Sequence, residues 1–216
     1  MSKPKLISFK LCPYAQRSVI LLKEKGVGYD IEYIDVYDPP EWFLALSPTG
    51  KVPILQVEDT VLFESAVINE YLDEVYLPGL HPSKPVKRAQ NRAWIEYISA
   101  IYIDTYNIMM ASDKETSDKA IESMNKNLAG LDKAMVNTPW FNGSDFSLVD
   151  ICAAPLFIRI AFYKKQCGID LLEGFLNLQA WSEGVMSRQS VIESKVEGFD
   201  DMLLMKMGEI GTYINQ

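Results

Sequence analysis

Two architectures in series, an α/β first part and an all-α second part, are what this sequence predicts. Three observations carry the prediction. Up to about Val75, short β-like apolar runs alternate with helical ones. The stretch Leu77-Pro78-Gly79-Leu80-His81-Pro82-Ser83-Lys84-Pro85 then puts three prolines and a glycine into nine positions, which reads as a linker. From Val86 onward, apolar residues recur only at helical spacing. The expected organisation is residues 1–76, a linker at 77–85, and an all-helical 86–216.

Each element has its own local reason. Leu6 to Phe9 is a strand-like run, followed by a helix that ends near Lys25-Gly26, where glycine suits a C-terminal cap. Tyr29 to Val36 reads as a second strand, and a strand, helix, strand crossover of this length implies a parallel pair. Pro40-Glu41-Trp42-Phe43-Leu44 starts a short helix, and Ser47-Pro48-Thr49-Gly50 is a turn into Lys51 to Val57. Pro53 opens that run without a ladder donor, so a cis Val52–Pro53 bond is weighed against the trans form. Glu58-Asp59 turns the chain into Thr60 to Phe63 as an antiparallel hairpin, and Glu64-Ser65 opens a helix to about Val75.

In the second part, Trp94, Ile98, Ile101, Thr105 and Ile108 share one helical face, as do Ile121, Met124, Leu128, Leu131 and Met135. Ser147-Leu148-Val149-Asp150 is a capping box, with Phe146 and Ile151 in hydrophobic-staple positions. The helix it opens, from Leu148 to about Lys164, is apolar nearly all round and should run through the middle of this part, with a kink or local break at Pro155.

Composition excludes several functions. At 216 residues with a formal net charge of −8, the chain lacks the clustered basic surface that nucleic acid requires. Its three cysteines show no paired spacing, and Met1-Ser2-Lys3-Pro4-Lys5 lacks a signal peptide's apolar core, so a reducing, cytoplasmic setting is expected. The richest apolar run, Ile151 to Phe162, is too short for a bilayer and contains Arg159, so no membrane insertion is expected. The single histidine, His81, leaves a histidine triad or multi-histidine metal site hard to build, and no metal is expected.

One stretch carries chemistry. Leu11-Cys12-Pro13-Tyr14-Ala15-Gln16-Arg17 places Cys12 at a strand-to-helix junction, with Pro13 in the first helical turn. The unpaired amides and positive dipole end there favour a thiolate, which predicts a lowered pKa and a nucleophilic sulfur. Cys152, in an apolar run, and Cys167, beside Gly168, read as structural. Arg17, one turn beyond Cys12, is read two ways: holding the thiolate, or pairing with a surface acid.

These motifs carry a family resemblance. The first part resembles a thioredoxin-like domain, and the whole chain resembles the soluble glutathione transferases, most closely the cysteine-type, omega-like members. The ordered matches are Cys12-Pro13-Tyr14-Ala15, Pro40-Glu41-Trp42-Phe43, Pro48-Thr49-Gly50-Lys51-Val52-Pro53, Glu64-Ser65 and Ser147-Leu148-Val149-Asp150. The resemblance implies a C-terminal all-helical glutathione-transferase domain, glutathione as co-substrate, a homodimer, and catalytic Cys12. It also implies glutathione-binding positions: Glu64 for the γ-glutamyl ammonium, Ser65 for its carboxylate, Val52 before a cis Pro53 for the cysteinyl backbone, Lys51 for the glycyl carboxylate, and Tyr14 nearby. The omega-like pattern commonly has an apolar residue at the Lys51 position and a lysine just before Pro-Glu-Trp-Phe, where this chain has Pro39.

The implied activity is thiol transfer or reduction through a mixed disulfide on Cys12, released by glutathione, with dehydroascorbate and S-glutathionyl compounds in the same class. Ala15 stands where a Cys-x-x-Cys pair has its second cysteine, so a one-cysteine cycle is implied. Two alternatives stay open: conjugation of electrophiles supported by Tyr14, and a non-catalytic regulator like the stringent-starvation proteins. The second substrate is expected between the two parts, near Tyr102, Tyr106 and Met109.

Overall fold

Strands β1 (Lys5–Ser8), β2 (Asp30–Tyr33), β3 (Ile54–Val57) and β4 (Thr60–Phe63) form one mixed sheet in the order β2-β1-β3-β4. The computed structural model describes residues 3–135 and 139–215; Met1 and Ser2, part of the stretch read above for a leader, lie outside them. The pair β1–β2 is parallel, in the register Leu6 to Ile31, with the helix α1 (Pro13–Glu24) crossing between them. The pairs β1–β3 and β3–β4 are antiparallel, with Ile7 opposite Ile54 and Leu55 opposite Leu62. The second strand is shorter than the expected Tyr29 to Val36 because β1, the strand it pairs with, is four residues long.

Each face of the sheet has its own cover. On one face, Ile7, Ile34, Phe43 and Ile54 form a small apolar cluster around α2 (Glu41–Leu46). On the other, Leu6 and Leu55 join Ile20 and Leu21 of α1 and Ile68 and Leu72 of α3 (Ser65–Val75). That second cluster continues without a break into the helical part. Both Val52–Pro53 and, in the linker, Leu77–Pro78 are cis.

After the linker come α4 (Pro85–Met110), α5 (Lys114–Ala134), α6 (Leu148–Cys167), α7 (Leu176–Met186), α8 (Gln189–Ile192), α9 (Phe199–Ile210) and a closing 3-10 turn. Two isolated bridges, Trp140 to Gly143 and Asn142 to Asp145, interrupt the purely helical pattern. The helix α6 is the central post: fifteen of its 20 residues are buried, and it packs against α1, α4 and α7. Of the expected kink or break, there is no break: the helix continues through Pro155, whose carbonyl accepts from Arg159 Nη1 at 2.8 Å.

Its start is closed as the capping box requires. Asp150 Oδ2 accepts from the Ser147 amide and hydroxyl, both at 2.8 Å. Asp150 Oδ1 accepts from the Phe141 amide at 2.8 Å and Trp181 Nε1 at 2.7 Å. Four donors on one buried carboxylate make Asp150 a hub joining α6, α7 and the bridge-containing loop, rather than a reactive acid. Among the described residues, no helix is long and apolar enough to cross a membrane.

Candidate active site

Cys12 is the N-cap of α1, with extended backbone angles of −74° and 117° and Pro13 in the first helical position. The chain turns into it from β1 through a Cys12 N–H bond to the Phe9 carbonyl at 3.0 Å. Its Sγ accepts from the Ala15 amide at 3.4 Å and lies 3.9 Å from the Val52 carbonyl oxygen, next to the cis Pro53. The thiol is half-buried.

The helix mouth does not by itself make that thiol acidic. Burial pushes the Cys12 pKa above its ordinary value, and this outweighs the lowering pulls of the Ala15 amide, Arg159, the Tyr14 amide and Arg17. The expected lowered pKa is therefore corrected: desolvation of the sulfur exceeds what helix amides and two nearby guanidiniums return.

Two cavities meet at this point. One, of about 380 Å³, brings together Tyr14, Lys51, Val52, Pro53, Glu64 and Ser65, the six residues that the resemblance implied. The other, of about 350 Å³, has Cys12 in its wall, together with Tyr102, Tyr106 and Met109 of α4 and Arg159 of α6. Lys51 and Val52 line both, so the sulfur and the Glu64–Ser65 corner are served by one continuous wall.

The polar end of the first cavity is built with unusual backbone. Glu64 has a φ of 65°, a left-handed value that costs a non-glycine residue roughly 1–3 kcal/mol, and it leaves its exposed carboxylate out of any helix-capping bond. Ser65 begins α3 and is buried. Its Oγ accepts from Arg17 Nε at 3.1 Å and Nη2 at 2.6 Å, so its own O–H is left to donate to an incoming acceptor. Arg17 also donates to Ser99 Oγ at 2.8 Å and Cys152 Sγ at 3.2 Å. All its partners are neutral groups and the side chain is buried, so the surface-acid reading of Arg17 is set aside.

Lys51 is exposed at the shared wall, where the turn is tied by Ser47 Oγ donating to the Lys51 carbonyl at 3.1 Å. Tyr14 reaches its cavity with the ring, but its hydroxyl donates to the Ser99 carbonyl at 3.0 Å, and burial raises its pKa. Sequence reasoning missed Arg159 and Ser99 as site-building residues. The signal for Arg159 was present, since a lone arginine in an apolar helix needs a reason to be there. Ser99 carried no signal, because its role depends on the fold bringing it, on α4, to Tyr14 and Arg17 of α1.

A two-layer unit with a cis-proline wall and a cysteine at a helix mouth, joined to a helical bundle that supplies a second cavity, is the arrangement that the resemblance to glutathione transferases implies. The family description "Glutathione S-transferase, N-terminal domain" matches residues 11–75, and "Glutathione S-transferase, C-terminal domain" matches residues 72–189. The chain belongs to the glutathione S-transferase superfamily, and within it is omega-like. It is 32% identical to rat (Rattus norvegicus) glutathione S-transferase omega-1 over 72% of this chain and 66% of that protein, so it spans about two thirds of that relative's length. It is equally 32% identical to a stringent starvation protein A homolog of Haemophilus influenzae, over 84% of each chain. Among solved structures, glutathione transferase Omega 3C of Trametes versicolor superposes with a TM-score of 0.80 at 27% identity, covering 91% of this chain and 90% of that one.

Proposed function

We propose that the chain is a glutathione-dependent thiol transferase and reductase with Cys12 as its catalytic residue. Glutathione lies along the first cavity, its γ-glutamyl ammonium at Glu64 and carboxylate at Ser65, the cysteinyl backbone at Val52, and the glycyl carboxylate at Lys51. The Cys12 thiolate attacks the glutathionyl sulfur of a mixed disulfide, the sulfur–sulfur bond breaks, and the other half leaves as a thiolate that takes a proton. A second glutathione thiolate then attacks the glutathionyl sulfur on Cys12, giving oxidised glutathione and restoring the cysteine. Ala15 offers no second sulfur, so glutathione itself resolves the intermediate. Dehydroascorbate and S-glutathionyl ketones belong to the same chemical class.

The observation that carries this reading is the position of Cys12 Sγ, 3.9 Å from the Val52 carbonyl on the wall common to both cavities. The test is turnover of hydroxyethyl disulfide with glutathione by the wild-type protein and Cys12→Ser. Loss of activity in the variant is expected; full activity would overturn the reading.

Two observations bear on the alternatives. The Tyr14 hydroxyl is already donated to Ser99, which weighs against conjugation through that hydroxyl, and a chlorodinitrobenzene rate below the hydroxyethyl-disulfide rate is expected. The likeness to a stringent starvation protein favours a regulatory reading instead, and failure to be retained by immobilised glutathione would decide for it. The proposal includes a homodimer in a reducing, cytoplasmic setting. Phe63 and Val67, exposed on β4 and α3, supply apolar surface for a second copy, and light scattering at twice the 24.5 kDa chain mass is the expected result.

A further inference from the structure

The second cavity has a charge pattern opposite to that of the chain. The protein carries a formal net charge of −8, yet this cavity is lined by three cations, Lys51, Arg159 and Lys206, and by no aspartate or glutamate among the described residues. Aromatic rings, among them Phe9, Tyr37, Tyr106 and Phe162, make up much of the remaining wall.

The three cations are not equivalent. Lys206 lies 3.2 Å from Glu209 and 4.3 Å from the centre of the Tyr37 ring, so its charge is largely answered within α9 and at the rim. Lys51 faces the glutathione cavity as well. Arg159 is different: it is 6% exposed, and its acceptors are the Gln16 side-chain oxygen at 3.0 Å and the carbonyls of Pro155 at 2.8 Å and Leu11 at 2.6 Å. These are neutral groups, and the guanidinium also lies 5.5 Å from the Phe199 ring centre. Cys12 is the nearby group whose thiolate it favours, and no carboxylate among the described residues answers the charge. The three acceptors use three of the five N–H donors of a guanidinium, leaving Nε–H and one on Nη2, the number a carboxylate takes in a two-bond contact. A buried cation of this kind costs stability unless something repays it.

We infer that the second cavity binds the departing half of the substrate as an aromatic group carrying an anion, and that Arg159 is the residue that reads the anion. The inference rests on the thiol-transfer reading and names its substrate class: glutathione mixed disulfides of aryl thiols bearing a carboxylate or sulfonate. The chemistry is the one already given. The Cys12 sulfur bonds to the glutathionyl sulfur, the arylthiolate leaves with the electron pair of the broken bond, and glutathione supplies the reducing equivalents.

The test has two arms. In the first, kcat/KM is measured for the glutathione mixed disulfides of 4-mercaptobenzoate and 4-mercaptobenzamide, each divided by its rate with glutathione alone to remove leaving-group effects. The carboxylate is expected to lead by roughly tenfold to a hundredfold, the discrimination that a hydrogen-bonded charge provides. That lead should shrink toward unity in Arg159→Met and return in part in Arg159→Lys. Should Arg159→Met fail to fold, the wild-type ratio still decides. In the second arm, 4-(methylthio)benzoate and its carboxamide are titrated by calorimetry into Cys12→Ser, where no turnover is needed. Tighter binding of the carboxylate supports the inference; equal or weaker binding overturns it. Carboxylate preference in binding without Cys12-dependent turnover would keep the anion site and remove the thiol-transfer reading, so the two fail separately.

Discussion

The N-termini of α1 and α6 face the same physical problem and solve it in opposite ways. At α6 the cap is complete: the Ser147 hydroxyl accepts from the Val149 amide at 3.3 Å, and Asp150 gathers four donors. At α1 the cap is a thiol accepting one long bond, 3.4 Å from the Ala15 amide, with a proline in the first position where a missing donor does no harm. A fully satisfied helix end is a folding device. An end capped by a polarisable sulfur keeps its field for whatever approaches, which is why the proposed reactive group is placed there.

Breaking this contrast should show a graded set of effects. Cys12→Ser retains a capping oxygen, so its stability should change little while thiol transfer falls on the order of 10³-fold or more, read with hydroxyethyl disulfide. Asp150→Ala should do the reverse. It leaves the Trp181 indole N–H and the Phe141 and Ser147 amides unpaired in a buried place, and chemical denaturation should register a loss of about 3 kcal/mol with the Cys12 alkylation rate unaltered in the folded fraction. Arg17→Met removes the two donors that fix Ser65, and the KM for glutathione should rise roughly tenfold with kcat moving less, a split that separates binding from chemistry. Tyr14→Phe is the mildest: loss of the bond to Ser99 should cost about 1 kcal/mol, with thiol transfer within a few-fold of wild type.

The pH dependence sharpens the same comparison. Burial raises the Cys12 pKa, so the thiolate is lost as pH falls and gained later than in a free cysteine. Iodoacetamide alkylation of Cys12 should therefore still be climbing at a pH where a cysteine peptide has levelled off. The sign for stability follows: a thiol whose folded pKa is raised contributes stability that is complete below its unfolded value and lost as pH rises through the folded one.

Much of this was legible in the sequence because the signals were local. The proline after Cys12, the Ser147–Asp150 box, the Glu58-Asp59 turn and the linker prolines each depend on neighbours within a few residues, and the elements stand where those signals put them, to within a few residues at most strand and helix ends. The balance of charge and burial at Cys12 was not legible, because it sums desolvation with guanidiniums that arrive from one turn along α1 and from 147 positions away in α6. For the same reason Arg17 could be read either way until Ser65, Ser99 and Cys152 were seen around it. Pro155 shows the opposite failure: a residue that locally breaks helices does not end this one, whose other fourteen buried residues pack the helix on both sides of it.

The central claim concerns one sulfur of three. Intact-protein and peptide mass spectrometry after exposure to oxidised glutathione tests it most directly. A single glutathione adduct is expected, on Cys12, removed by excess glutathione and absent from Cys12→Ser. An adduct found only on Cys152 or Cys167, or persistent in Cys12→Ser, would contradict it.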